Sequence, residues 1–287
     1  MKKFKIKSFC KINLSLRVLS RLNNGYHKIN SIITFCNLHD LISISKTKEE
    51  KDVITFSGKF YRKINIKKNT INQLLLLLRK KNLLKNNFFK INIKKNIPHG
   101  SGLGGGSSNA ASLLNFLNTK MNLKLNKNEL YKIANQIGYD VPICLKKKNT
   151  LVTGSQNEII RLNKKFGLSI LVVYPKIICS TSEIYKKNKI IKFPKFKSNL
   201  NKLNRKNIIN FLKSENNDLQ KTVIKLYPKV QETLNFIKIQ NGCYFSRITG
   251  SGSSCIGIFS NMKTAVFAQK LIKLKFPKYW SMISKTI

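Results

Sequence analysis

The chain has 287 residues, 42% of them hydrophobic, which suits one large or two medium globular domains and excludes a disordered tail. Fifty-five Lys and Arg face 11 Asp and Glu, for a formal net charge of +44. The lysines are scattered along the whole chain beside abundant Asn and Ile, so a drift toward residues of AT-rich codons explains the charge better than nucleic-acid binding as the main role. The longest apolar run, Leu74 to Leu78, is five residues, too short to span a membrane. The N-terminal text MKKFKIKSFCKINLSL alternates polar and apolar residues and lacks the unbroken apolar region of a signal peptide, so a cytoplasmic protein is expected. Six cysteines (Cys10, Cys36, Cys144, Cys179, Cys243 and Cys255) form no C-x-x-C pair and are expected to be buried thiols, not zinc ligands or disulfides.

From Phe4 to Val18 apolar residues fall on alternate positions, which predicts a strand, or two strands broken near Ser8. Asn23-Asn24-Gly25 predicts a hairpin turn, followed by separate strands at 29–33 and 41–44. Residues 69–84 predict a Leu-rich helix, and Phe89, Ile91 and Ile93 alternate as a strand. After the glycine-rich segment 98–108, Ala110, Leu113, Leu114 and Leu117 share one helical face. A second helix starts at Asn126 with Glu129 at the capping-box position and Gly138 at its end. Further on come a buried strand at 168–173, a Lys/Asn-rich linker over 186–207 and helical text over 218–240. A strand near 243–245, a Gly/Ser turn at 249–254, a strand at 255–259 and a helix near 263–274 complete the chain. Strands and helices mix without strict βαβ alternation, so an α+β class is expected, with domains at 1–155 and 156–287.

The segment Pro98-His99-Gly100-Ser101-Gly102-Leu103-Gly104-Gly105-Gly106-Ser107-Ser108 sits between a predicted strand and a predicted helix. Five glycines in the seven residues 100–106 let backbone N–H groups close around an anion at a helix start, and Ser107 and Ser108 can cap that helix or bond phosphate. A Walker A loop is excluded because no lysine follows Gly105 or Gly106. Gly100, Gly102 and Gly105 fit G-x-G-x-x-G, but the acid a dinucleotide fold requires downstream could only be Glu129, which is better explained as a helix cap. The H-R-D and D-F-G of protein kinases are absent. Of the 11 carboxylates, Asp40 to Glu232, most lie in Lys-rich, solvated text. Asp140, between Gly138 and the apolar Val141-Pro142-Ile143, is expected to be half-buried, equally suited to a functional or a loop-structural role.

The text PHGSGLGGGSSNAA resembles the P-x-x-x-G-L-G-S/G-S-S signature of the galactokinase, homoserine kinase, mevalonate kinase and phosphomevalonate kinase (GHMP) superfamily. Its doubled form is similar to that of the cytidylyl-sugar-alcohol kinases of the non-mevalonate isoprenoid route. The resemblance implies a two-domain fold, with an N-terminal domain like ribosomal protein S5 domain 2 and a ferredoxin-like α+β C-terminal domain. It implies ATP and Mg²⁺ as cofactors, residues 98–108 around the triphosphate, and Asn69 and Lys95 around the adenine. Gly138-Tyr139-Asp140-Val141-Pro142 is similar to the family's G-x-D-V-P, whose Asp faces the acceptor hydroxyl, and Cys10-Lys11-Ile12-Asn13-Leu14 to its A-K-[IL]-N-L. Lys11 and Asp140 are thereby the implied catalytic pair, with Asn13 on the substrate. Gly25-Tyr26-His27 resembles the family's cytosine-holding G-Y-H, with Tyr26 stacking and His27 on the base edge. Thr181, Tyr185 and the turn Thr249-Gly250-Ser251 complete the implied substrate contacts. The chain departs from the family at Ser155-Gln156-Asn157 and at Tyr174-Pro175-Lys176. The implied reaction is phosphoryl transfer from Mg-ATP to the C2 hydroxyl of 4-diphosphocytidyl-2-C-methyl-D-erythritol, with no membrane and no specific nucleic acid as partner. A different GHMP kinase, or a basic RNA-binding protein, is the alternative.

Overall fold

The computed structural model describes residues 2–23, 25–62, 64–66, 68–154, 158–189, 200 and 202–287. In chain order the elements are β1 (Phe4–Asn13), β2 (Arg17–Arg21), β3 (His27–Thr47), β4 (Val53–Gly58), α1 (Thr70–Lys80), β5 (Phe88–Lys95), α2 (Gly105–Lys120), α3 (Lys127–Ile137), α4 (Val141–Cys144), β6 (Thr150–Gly154) and β7 (Ile159–Arg161). They continue with β8 (Ser169–Tyr174), α5 (Thr181–Lys187), α6 (Arg205–Ser214), α7 (Gln220–Leu226), α8 (Pro228–Lys238), β9 (Cys243–Ile248), β10 (Cys255–Phe259), α9 (Met262–Lys275) and β11 (Trp280–Lys285). No helix among the described residues is long and apolar enough to cross a membrane.

Two compact units form, each from several segments of chain. Unit 1 takes Met1–Cys10, Leu38–His99 and Gly104–Lys147. In it β5 runs antiparallel to the C-terminal half of β3, from Leu41 opposite Lys94 to Thr47 opposite Phe88, and β4 runs parallel to β5. Helices α1, α3 and α4 pack on α2, and Leu74, Leu78, Phe89, Ile91, Leu113 and Leu117 are fully buried. Helix α1 starts at an Asn69 cap and stops where Asn82 turns left-handed, short of the predicted Leu84. The capping box expected for α3 is present in both directions, Asn126 N–H donating to Glu129 and Glu129 N–H to Asn126.

Unit 2 takes Lys11–Asn37, Gly100–Leu103 and Lys148–Ile287. Its first sheet pairs the N-terminal half of β3 with β2 and β6, and β6 with β7. Its second sheet has the antiparallel order β11-β8-β10-β9. Counted from β8 that order is 4-1-3-2 in a βαββαβ succession, the ferredoxin-like arrangement. All six residues of β8 are buried, as a central strand requires. Helices α8 and α9 pack on this sheet through Val230, Leu234, Ile237, Ala265, Ala268 and Ile272.

Several expectations change. The strands at 29–33 and 41–44 are one strand, β3, because the intervening Thr34–Asp40 contains no glycine or proline to turn the chain. β1 continues through Ser8 and ends at Asn13. The helical text 218–240 is two helices, since Pro228 cannot continue the ladder of α7 and instead opens α8. The hairpin stands on its described flanks, with Arg21 opposite His27 and Leu22 N–H donating to Tyr26 C=O, while Asn24 lies outside the described residues. Of the linker over 186–207, residues 190–199 and 201 lie outside them too; the rest is the end of α5, a turn, and the start of α6 at Arg205. All six cysteines are free thiols and all but Cys243 are buried. Burial pushes the thiols of Cys179 and Cys243 up to about 11, so both are protonated at neutral pH.

Candidate active site

The glycine-rich segment divides into three parts. Pro98 and His99, in unit 1, end the exit from β5. Gly100–Leu103 belong to unit 2, and Gly104 caps α2 in unit 1. Gly100, Gly102 and Gly104 all have positive φ (60°, 78° and 64°), a conformation that L side chains rarely adopt. α2 begins at Gly105 with no side-chain cap bond, and its first two residues are glycines. Ser107 and Ser108 lie inside the helix and cap nothing, a correction to the expectation. The buried Ser108 hydroxyl donates to Cys144 Sγ at 3.3 Å. Leu103 is fully buried and anchors the segment in place of contributing a polar group.

Within unit 2 the segment meets the second Gly/Ser turn backbone to backbone. Cys179 N–H donates to Gly100 C=O at 3.2 Å and Ser254 N–H to Ser101 C=O at 3.1 Å. A Cβ on Gly102 would lie 2.0 Å from the Thr249 carbonyl oxygen, and one on Gly250 2.9 Å from that of Gly102. The two turns are therefore interlocked at a distance only glycine permits. Lys11 N–H donates to Leu103 C=O at 3.0 Å, which fastens β1 to the same place.

Lys11 and Asn13 are both buried, although alternation put them on a polar strand face. Residues 10–13 are covered on both sides, so period two marks orientation here and not exposure. Lys11 Nζ donates to Asn13 Oδ1 at 2.8 Å, Asn13 Nδ2 to Ser31 Oγ at 2.8 Å, and Ser31 Oγ to Ser15 C=O at 2.6 Å. Asn13 N–H donates to Thr249 Oγ1 at 2.9 Å. This relay fixes the direction of the lysine and of the asparagine amide. On the other side, the Thr181 and Ser251 hydroxyls are 2.9 Å apart. The rings of His27 and Tyr185 also meet, centroids 4.9 Å apart at 34°, while Tyr26 is half exposed. Partial burial, and then the charge of Arg21, hold His27 below its usual pKa, so it is neutral at pH 7.

In unit 1, Asp140 is half-buried, as expected, at the start of the wholly buried α4. Asn69 accepts from Ile71 and Asn72 N–H and donates to Asn65 and Ile66 C=O, so every hydrogen-bonding position of its amide is taken by the α1 cap. Lys95 is buried and ion-paired to Asp40. His99 is held below its usual pKa by partial desolvation and then by the Lys95 charge. A cavity of about 1090 Å³ in unit 1, walled by Phe4, Leu84, Phe89 and Leu123 among others, contains none of the expected site residues.

Sequence reasoning enumerated Asp40 among the 11 carboxylates and gave it no role; it is fully buried. The available signal was an acid inside the apolar text Leu38-His39-Asp40-Leu41-Ile42, with no turn residue beside it. It also missed Asn217, whose buried Nδ2 donates to Ile248 and Gly250 C=O and so holds the second turn from behind. The departure at 155–157 lies outside the described residues; that at 174–176 is a turn after β8 in which Lys176 takes φ 61°.

The α2 start suits a polyphosphate: it opens on Gly105 and Gly106 with backbone donors, no side-chain cap and no acid in its first turn. Among the described residues no three His, Cys, Asp or Glu converge as a metal site. Magnesium bound to a nucleotide needs only one or two carboxylates beside phosphate oxygens and water, so the residues are compatible with it.

The chain matches the family models for the GHMP kinase N-terminal domain over residues 69–148 and C-terminal domain over residues 197–277. It is 39% identical over 287 residues to a 4-diphosphocytidyl-2-C-methyl-D-erythritol kinase of Pelagibacter ubique, covering 100% of both chains. It is 32% identical to the kinase of the same name from Wolbachia pipientis, covering 98% of this chain and 97% of that one. Among solved structures it resembles 4-(cytidine 5'-diphospho)-2C-methyl-D-erythritol kinase with a TM-score of 0.75 at 21% identity, each chain covered to 99%. Homoserine kinase from Cytophaga hutchinsonii follows at 0.74 and 17%, with coverage of 99% and 95%. The fold alone does not separate these two; the sequence relatives do. By the full-length identity, the glycine segment and the fold together, the chain belongs to the 4-diphosphocytidyl-2-C-methyl-D-erythritol kinase family of GHMP kinases.

Proposed function

We propose that this protein transfers the γ-phosphoryl group of ATP to the C2 hydroxyl of 4-diphosphocytidyl-2-C-methyl-D-erythritol. The observation that carries the reading is the interlock of the two glycine turns with the Lys11–Asn13 strand. It gathers three sequence-distant segments of unit 2 into one frame, and positioning and electrostatics supply most of the catalysis of phosphoryl transfer. The bound nucleotide, with magnesium on its phosphate oxygens, supplies an activated γ-phosphoryl group. The chain's own residues do the rest. The N-terminus of α2 holds the triphosphate through the N–H groups of Gly104 to Gly106. Lys11, oriented by Asn13, neutralises charge on the transferring group. Asp140 accepts or orients the proton of the alcohol. Tyr26 and Tyr185 hold the cytosine between them, and neutral His27 bonds its polar edge. The nucleotide site lies mainly in residues 1–155, and residues 156–287 supply further substrate contacts and the second glycine turn.

The test is a coupled ADP-release assay. ATP is expected to be consumed with the cytidylylated alcohol and hardly at all with mevalonate or homoserine. Equal turnover on all three overturns the substrate assignment. We read the protein as cytoplasmic and its positive charge as compositional. Any RNA binding is then sequence-blind and falls steeply with salt; a sequence-selective complex that survives about 150 mM salt overturns that reading.

A further inference from the structure

Asp40 is fully buried in β3 of unit 1 and takes no part in the chemistry proposed above. Its Oδ1 accepts from the N–H of Asn96 at 2.7 Å and of Ile97 at 2.8 Å, and its Oδ2 accepts from Lys95 Nζ. Asn96 Nδ2 also donates to the His39 carbonyl at 3.0 Å, a second bond between the same two segments. One carboxylate therefore binds three consecutive residues, the last of β5 and the two that lead into Pro98 and the glycine segment. Those residues in turn support the start of α2. A Cβ on Gly105 would lie 3.0 Å from Ile97 Cγ2 and 3.4 Å from Lys95 Nζ, so the first turn of the helix rests on the Ile97 side chain and the lysine ammonium.

We infer that Asp40 is the positioning residue of the nucleotide segment. It fixes the exit of β5 and holds the Lys95 ammonium under the N-terminus of α2. A buried ammonium needs a counter-charge, and two buried N–H groups need acceptors; Asp40 is both at once. The pair is net neutral but oriented, its ammonium end toward Gly105, so it reinforces the partial positive charge of the helix start, where the triphosphate binds in the reading above, on which this inference rests. Because Lys95 is directed by Asp40, it acts from beneath the segment and not as a mobile side chain reaching over the ligand.

Asp40→Asn tests it with little change of shape. The amide oxygen can still accept from Asn96 and Ile97, but the lysine loses its counter-charge. Calorimetric Kd for ATP, measured without alcohol, is expected to weaken at least tenfold, and KM for ATP to rise while KM for the alcohol stays within twofold. Asp40→Asn combined with Lys95→Met removes both charges. It is expected to recover thermal stability lost in the single variant while ATP affinity stays weak. If Asp40→Asn does not fold, the double variant alone is read for ATP affinity. Folded variants that bind ATP as wild type, or raise both KM values equally, overturn the inference. Wild-type protein that binds ATP but turns over no cytidylylated alcohol overturns the substrate assignment instead, and leaves the calorimetric comparison in force.

Discussion

Gly102→Ala is the sharpest test of the interlocked turns. Two separate costs arise. Gly102 has φ +78°, and holding an L residue left-handed costs about 1–2 kcal/mol. The new methyl would also lie 2.0 Å from the Thr249 carbonyl oxygen, with Gly252 N and O each 3.1 Å away. All three neighbours are backbone, so no side chain can swing aside, and the turns must part by about 1.4 Å or more to restore an ordinary contact. A misplacement of that size in a positioning frame costs on the order of 10²-fold in rate. Gly167→Ala is the matched control: φ is +58° and nothing lies within 4 Å of its Cβ, so it bears the backbone strain without the collision. For a chain of this size each 1 kcal/mol lowers Tm by roughly 2–4 °C. Gly167→Ala is expected to lose only that and keep its kcat/KM, whereas Gly102→Ala is expected to lose about two orders of magnitude in kcat/KM and more Tm. Thermal melts and steady-state kinetics on both variants decide it. A Gly102→Ala enzyme within about threefold of Gly167→Ala would refute the claim that the interlock sets the geometry.

Asp140→Asn is expected to lower kcat by ~10²-fold or more with ATP affinity unchanged, and a near-normal kcat in folded protein would make Asp140 structural. Tyr185→Ala, which removes the ring that meets His27, is expected to raise KM for cytidine and uridine diphosphate alcohols alike, since stacking of ~1–3 kcal/mol is blind to the base. His27→Ala is expected to erode the preference for cytidine, and an intact preference would move base recognition elsewhere. Because burial and Arg21 depress the His27 pKa, the imidazole stays neutral as pH falls through the usual 6.5, and its contribution to stability, full above 6.5, is lost only as pH falls through the lower folded value. KM for the alcohol is therefore expected to stay flat down to about pH 6.5 and rise below it; a doubling already at that pH would show an unperturbed histidine.

Local signals in the sequence held where short-range physics governs. The capping box at Asn126, the hairpin flanking Gly25 and the glycine start of α2 all depend on neighbours within a few residues. They failed where burial by distant chain decides. Lys11 and Asn13 look like a solvent-facing strand edge, yet residues far along the chain cover them, Thr249 among them. The gap between the two predicted strands at 29–33 and 41–44 vanishes in β3 because polar residues there find buried partners: Thr34 donates to Asn149 Oδ1 at 2.6 Å, and Asp40 takes the exit of β5. The short strands β4, β6, β7 and β11, three to six residues each, went unseen, being too brief to show a clear period. Motif resemblance located the two glycine turns and named His27 and Tyr185 separately without foreseeing that their rings meet, and it missed Asn217 and Asp40, which carry no motif of their own.

The charge imbalance changes how the remaining acids should be read. With 55 cations, each carboxylate meets many partners that could be exchanged, whereas each buried cation meets very few acids. Asp40 serves Lys95; Asp52 accepts from Arg79 and from Phe89 N–H; Asp218 accepts from Val18 N–H. Glu215 is nearly fully buried and binds Arg17 through both oxygens, and its charge is also what opposes the desolvation that lowers Arg247 to about 10. Arg247 in turn donates to Leu14 and Leu212 C=O, which ties β9 to the end of the Lys11–Asn13 strand. Removing one exposed lysine from this chain alters little, because surface pairs are weak and the excess is large. Removing Glu215 leaves the partly buried Arg17 without its carboxylate and takes away the charge that steadies the buried Arg247, and breaking a fully buried pair in this way costs roughly 3–5 kcal/mol. In a protein this basic, the electrostatic weak points are the few anions, and Asp40 and Asp218 among them hold backbone N–H groups directly.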